Sequence, residues 1–154
     1  MEAIRLVKPD VSSQRQNHKA IGECSEAIIT ARLIEAGYDI LVPFGDNLRY
    51  DLLLADADGQ FWRIQCKTGW LEANGDSIVF ATASFYYHTK AGRTSHGSKS
   101  YHGQIDYFAV YCPETKGVYL IPIEHSGMSR MSLRLRPTKN SQEKHIHWAK
   151  DYEL

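Results

Sequence analysis

The chain has 154 residues, 43 % of them hydrophobic, and carries 18 basic against 18 acidic side chains. That size suits one domain over residues 1–154 with one core, and the zero net charge excludes a uniformly basic nucleic-acid coat. No apolar run approaches the ~20 residues that span a bilayer and no signal-peptide stretch stands at the start, so the chain reads as cytoplasmic with no membrane partner.

Residues 1–16 read as a flexible arm. Asn17 to Ala36 read as a helix, because Cys24, Ala27, Ile28, Ala31 and Ile34 recur at helical spacing and Gly37 follows as a stop. Tyr38 to Pro43 is a short strand. Arg49 to Ala55 and Phe61 to Thr68 form a hairpin around an Asp58-Gly59 turn. Ser77 to Ala83 is a further strand. Ser84 to Gly103 is rich in Gly, Ser, His, Thr and Lys without a clear period, which predicts a long functional loop. Asp106 to Cys112 and Gly117 to Ile123 are two more strands, and Gln142 to Tyr152 predicts a final helix. A helix followed by a twisted mixed sheet makes an α/β or α+β domain.

Charge is segregated along this frame. Ser77 to Ile105 holds no acid but contains Lys90, Arg93, Lys99 and three histidines. His125 to Gln142 also holds no acid, and contains Arg130, Arg134, Arg136 and Lys139. Such stretches suit contact with phosphates, with Tyr86, Tyr87 and Tyr101 placed to stack or to bind phosphate. The acids gather at Asp46, Asp51, Asp56 and Asp58, with Glu23 and Glu26 upstream, and an acidic centre can hold a hard cation. The three cysteines match no disulfide or zinc spacing and read as reduced thiols. His145 and His147, two apart on the predicted final helix, face apart and share no metal.

The hairpin carries the chemistry. Asp51 and Lys67 interrupt apolar runs, and buried unpaired charge is costly, so each needs a partner or an ion. A cross-hairpin ion pair is one solution. Gln65 and Lys67 are two apart on a strand and share a face, while Cys66 faces the other way. Asp51, the Gln65 amide oxygen and the Cys66 carbonyl then form an oxygen set that suits Mg²⁺, with an ammonium beside it to act on a water or a phosphate. Glu23 and Glu26 lie on one helix face, at the edge where the helix meets the sheet, and either can add a carboxylate.

Glu26, Asp51 in "RYDLLL" and Gln65-Cys66-Lys67 in "IQCKTG" resemble the PD-(D/E)XK nucleases, of restriction-endonuclease-like fold. The helix is similar to that of archaeal-type Holliday junction resolvases, whose glycine, glutamate and closing glycine match Gly22, Glu26 and Gly37 and single out Glu26 over Glu23. The block from "VFATAS" to "LIPIE" is similar to compact intron-associated homing endonucleases. The resemblance covers roughly Lys19 to Glu124. It departs from the family pattern at Tyr50, where a proline is usual, and at Gln65, where an acid is usual. It implies an α/β core with a central mixed sheet flanked by helices. It also implies a Mg²⁺-dependent DNA endonuclease, with Mn²⁺ substituting. Asp51, Gln65, the Cys66 carbonyl and Glu26 hold the metal, and Lys67 positions the attacking water. Lys90, Arg93, Lys99, Arg134 and Arg136 are the expected DNA contacts. The expected substrate is a four-way junction cut by a homodimer, since two symmetric cuts need two sites. A sequence-specific homing endonuclease is the first alternative. A non-catalytic DNA-binding relative is the second, motivated by Gln65.

Overall fold

The computed structural model describes residues 17–138 and 143–154. The expected arm at residues 1–16, Lys139 and the predicted helix start at Gln142 lie outside the described residues.

One α-helix, α1 (His18–Glu35), opens the fold. Asn17 caps it by accepting a hydrogen bond from the Lys19 N–H. Gly37, at φ 94°, closes it with a Schellman pair: its N–H donates to Ile34 O, and the Tyr38 N–H donates to Leu33 O. The helix spans the predicted residues, but its buried face is Ser25, Ile29 and Leu33. The expected stripe through Cys24, Ala27, Ala31 and Ile34 is one position out, which is a rotation of about 100°; Ile34 is 56 % exposed. The doublets Ile28-Ile29 and Leu33-Ile34 fit either stripe. Ser25 decides between them, because its hydroxyl is satisfied by Ile21 O and by Thr68 Oγ1 at 2.7 Å.

A five-stranded mixed sheet follows, in the order β1-β2-β3-β8-β9. Its strands are β1 (Asp39–Leu41), β2 (Leu52–Ala55), β3 (Phe61–Thr68), β8 (Tyr107–Tyr111) and β9 (Val118–Pro122). Only the β3–β8 pairing is parallel. The helix covers one face, where Ile29 and Leu33 meet Leu52, Leu54, Ile64, Ala109 and Val118. The other face is covered by strands where a helix was expected. A three-stranded sheet of β10 (Arg130–Arg134), β5 (Ser77–Ala81) and β4 (Trp70–Leu71) packs there through Ile78, Phe80, Met131 and Leu133. β8 is thus buried on both sides, with Phe108 and Val110 in one core and Ala109 and Tyr111 in the other.

The predicted loop at Ser84–Gly103 is instead a two-stranded ribbon, β6 (Ala83–Lys90) and β7 (Arg93–Ser100). Ala91 and Gly92 both take positive φ, as a two-residue primed turn requires. Nearly all of the ribbon is exposed on both faces, so no hydrophobic alternation marks it in the sequence. The predicted final helix is also absent from residues 143–154. His145 takes φ 63°, and only Ala149–Asp151 form a single 3-10 turn. The segment is irregular, with single β-bridges at Trp148 and Glu153. Arg134 N–H donates to His147 O, Leu120 N–H to Tyr152 O, and Leu154 N–H to Val118 O, so it bridges β10 and β9. Among the described residues no helix is long and apolar enough to cross a membrane.

The parallel crossing is held by Arg63 and Asp106. The guanidinium grips both carboxylate oxygens, at 3.1 and 2.9 Å, and the Arg63 N–H donates to the same carboxylate at 2.7 Å. These bonds hold the Asp106 carboxyl below the usual range. Its stabilisation is therefore present above the unfolded pKa and lost as pH falls through the folded value. Asp106→Asn is expected to cost about 1–2 kcal/mol at pH 7, a figure kept low by solvent around Arg63, and the difference should shrink only as pH falls below the ordinary carboxylate value of about 3.9 and vanish at about pH 2. Urea denaturation at the two pH values checks this.

Candidate active site

The hairpin register builds the site. Asp51 stands one residue before β2, and its N–H donates to Ile64 O at 2.8 Å. That places its carboxylate against the Gln65–Cys66 end of β3. Asp51 Oδ2 accepts from the Cys66 N–H at 2.8 Å and from Gln65 Nε2 at 2.6 Å. Gln65 Nε2 also lies 3.3 Å from the Cys66 carbonyl oxygen. One amide donor is thus shared by the two oxygens that the sequence picks out as metal ligands. A donor held between a carboxylate and a carbonyl occupies a place that suits a cation. A half-turn of the amide presents Oε1 there instead. Carboxylate, carbonyl and amide oxygens are hard ligands that fit Mg²⁺ or Mn²⁺. No three His, Cys, Asp or Glu side chains converge on one point among the described residues, so the fit rests on this mixed set, with water completing it.

Glu26 reaches the site from α1. The Ser25–Thr68 hydrogen bond pins the helix over the end of β3, and Glu26 is the next residue. It lines a polar pocket with Asp46, Leu48, Tyr50 and Asp51. Glu23 points further out, with its side chain 66 % exposed and 3.8 Å from Lys19. Burial raises the Asp51 carboxyl above its usual value, opposed by the Cys66 N–H, Lys67 and Gln65. Burial also raises Glu26, with repulsion from Asp51 and then Glu23 adding to it. The Cys66 thiol is pushed far up by burial and by both carboxylates, so it stays protonated near neutrality. Its carbonyl remains the useful part.

Lys67 acts on Asp51 through its charge and makes no ion-pair contact with it, so the expected cross-hairpin pair is not formed. Its ammonium donates to Tyr101 Oη at 3.1 Å and sits 4.7 Å from the centre of that ring. Tyr101 entered the sequence reading as a stacking candidate, but it is buried at 5 % exposure. Arg49 was missed. Its guanidinium carbon lies 4.0 Å from the centre of the same Tyr101 ring. The other acids of the expected centre disperse. Asp56 organises the β2–β3 turn, accepting from the Asp58 and Gln60 N–H groups and from Trp62 Nε1, and these bonds lower its pKa. Asp46 stays near, in the pocket with Glu26 and Asp51.

The basic residues divide. Lys90 and Arg93 face each other at the ribbon tip, and Lys99 lies near its base, all exposed. Arg134 is engaged internally with Asp76, Ser77 and the Arg136 carbonyl, while Arg136 is exposed.

A family described as PD-(D/E)XK endonuclease matches residues 16–154. The chain belongs to that family. Nuclease chemistry on DNA with a divalent metal is the family's activity. Among curated proteins none matches it. Among solved structures, the bacterial homing endonuclease I-Ssp6803I is similar in fold, at 20 % identity and TM-score 0.68 over 89 % of this chain and 88 % of that one.

Proposed function

We propose that this endonuclease cuts linear duplex DNA that is gripped by the β6–β7 ribbon. The ribbon itself carries the reading. Eight-residue strands reach about 26 Å, and a two-stranded ribbon fits the ~12 Å major groove. Cross-strand partners share a face. The pairs Lys90–Arg93, His88–Ser95, Tyr86–Gly97 and Ser84–Lys99 therefore put all three cations on one face. The Tyr86 ring lies across Gly97, where any Cβ would collide with it. The opposite face, with Phe85–Ser98, Tyr87–His96 and Thr89–Thr94, holds no charged pair. Such a division suits phosphate contact on one side. The likeness in fold to a homing endonuclease supports the same reading.

Asp51, the Cys66 carbonyl, Gln65 and Glu26 would hold Mg²⁺. The cation supplies Lewis-acid polarisation of the phosphate and a water more easily deprotonated. Lys67 directs an ammonium at the same place, orienting the attacking water or countering charge on the phosphate. Asp51 fixes the end of β3 through the Cys66 N–H, which keeps Lys67 and the carbonyl in one frame. One site per chain and two strands to cut call for a homodimer.

A four-way junction is the second reading, supported by the Gly22, Glu26 and Gly37 frame of α1. A panel of a randomised duplex library, a synthetic four-way junction and a single strand, each with Mg²⁺, Mn²⁺ or EDTA, tests both. Metal-dependent double-strand cuts in a subset of the library are expected. Cutting of the junction alone moves the assignment to resolution, and cutting in EDTA removes the metal from the reaction.

A further inference from the structure

The ribbon and the lysine meet at one side chain. Tyr101 follows β7 directly, and its ring packs edge-on against Phe108 at 5.5 Å in the core. Its hydroxyl accepts from Lys67 Nζ. Its ring carries the Arg49 guanidinium at 4.0 Å. That guanidinium is a many-handed clasp. Nε donates to Gln104 Oε1 at 2.7 Å, Nη1 to Ser84 Oγ at 2.8 Å, and Nη2 to the carbonyls of Lys99 and Ser100 at 3.2 Å each. Ser84 belongs to β6, and Lys99 and Ser100 to β7, so Arg49 ties both strands at the root of the ribbon. It stands two residues before Asp51.

We propose that Tyr101 is a positioning residue for Lys67, and that Arg49 couples the root of the ribbon to it. The inference rests on the reading of Lys67 as a catalytic group. A lysine chain has four rotatable carbons and many rotamers, and an ammonium serves catalysis only where it is held. Tyr101 supplies that hold without a negative charge, which leaves the ammonium's charge for the phosphate. A carboxylate partner would neutralise it. Because the ribbon enters the same stack through Arg49, DNA that orders the ribbon also orders Lys67.

The test is single-turnover cleavage, with Mg²⁺, of the DNA that the parent chain cuts in the panel above. Binding is measured separately by anisotropy of the same DNA, labelled, in EDTA. Tyr101→Phe keeps the ring and removes the hydroxyl. It is expected to slow cleavage about 10- to 100-fold while leaving affinity and melting temperature unchanged. Arg49→Ala should lower both rate and affinity, and Arg49→Lys should fail to restore them, since an ammonium cannot reach four acceptors in one plane. Tyr101→Phe cutting at the parental rate overturns the inference, as does a loss of rate matched by a loss of affinity or of melting temperature. Lys67→Ala run beside it separates the two readings. If that variant still cuts, the site itself is misassigned. If it is dead while Tyr101→Phe is normal, only the positioning role falls.

Discussion

Asp51→Asn should slow DNA cleavage by at least about 10³-fold, with DNA affinity unchanged and no loss of melting temperature. The catalytic part follows from charge. Asparagine can still accept the Cys66 N–H, but it brings no anion to a site whose β3 side-chain ligand, Gln65, is already neutral. Of the four proposed ligands only Glu26 would then supply negative charge, with Asp46 further along the same pocket. The stability part follows from the raised pKa of Asp51, which burial causes. A carboxyl raised in the folded state stabilises most below its unfolded pKa, and that stabilisation is lost as pH rises through the folded value. At neutral pH the buried anion is a cost of the fold, and the amide removes it. Thermal melting in EDTA beside single-turnover cleavage checks both halves. Undiminished cutting would remove Asp51 from the chemistry, and a large fall in melting temperature would make it a structural residue.

Replacing Lys90, Arg93 and Lys99 together with glutamine should weaken DNA binding about a hundredfold at physiological salt and flatten the salt dependence of log K by about 2–3. The three cations share one face of an exposed ribbon, so each can meet its own phosphate. They lie away from the core, so the melting temperature should hold. Arg134→Gln is the contrast. Its guanidinium is engaged with Asp76 and the Arg136 carbonyl, so its loss should lower stability more than the salt slope. Titrations across a range of salt concentrations distinguish the two, and an unchanged slope in the triple variant would mean that DNA approaches elsewhere.

The helix and the Phe61–Thr68 strand were legible because one face of each is buried and the sequence carries that period. Asp51 and Lys67 stood out for the same reason, as charges in apolar runs. The stripe of α1 was misread because its apolar doublets allow two faces and its true buried face includes a serine. The ribbon left no signal, since an element exposed on both sides has no burial period to write. Residues 143–154 carry the composition of a helix, but the positive φ at His145 and the bonds to β9 and β10 hold them in an irregular path set by tertiary pairing. The Lys67–Tyr101 contact joins residues 34 apart and depends on where the ribbon returns, which no local pattern encodes.

The pairing of residues 152–154 along β9 bears on how the central sheet meets other chains at high concentration. A five-stranded sheet has two rims where backbone groups could recruit a stranger's strand. Along β9 that rim is already taken, by the hydrogen bonds of Leu120 and Leu154. At the opposite rim β1 is only three residues long and Pro43 follows shortly after it. Neither side offers a long template for sheet growth. Growth of the central sheet is thereby blocked at both rims, and the open strand edges of the described residues lie elsewhere, along the β6–β7 ribbon.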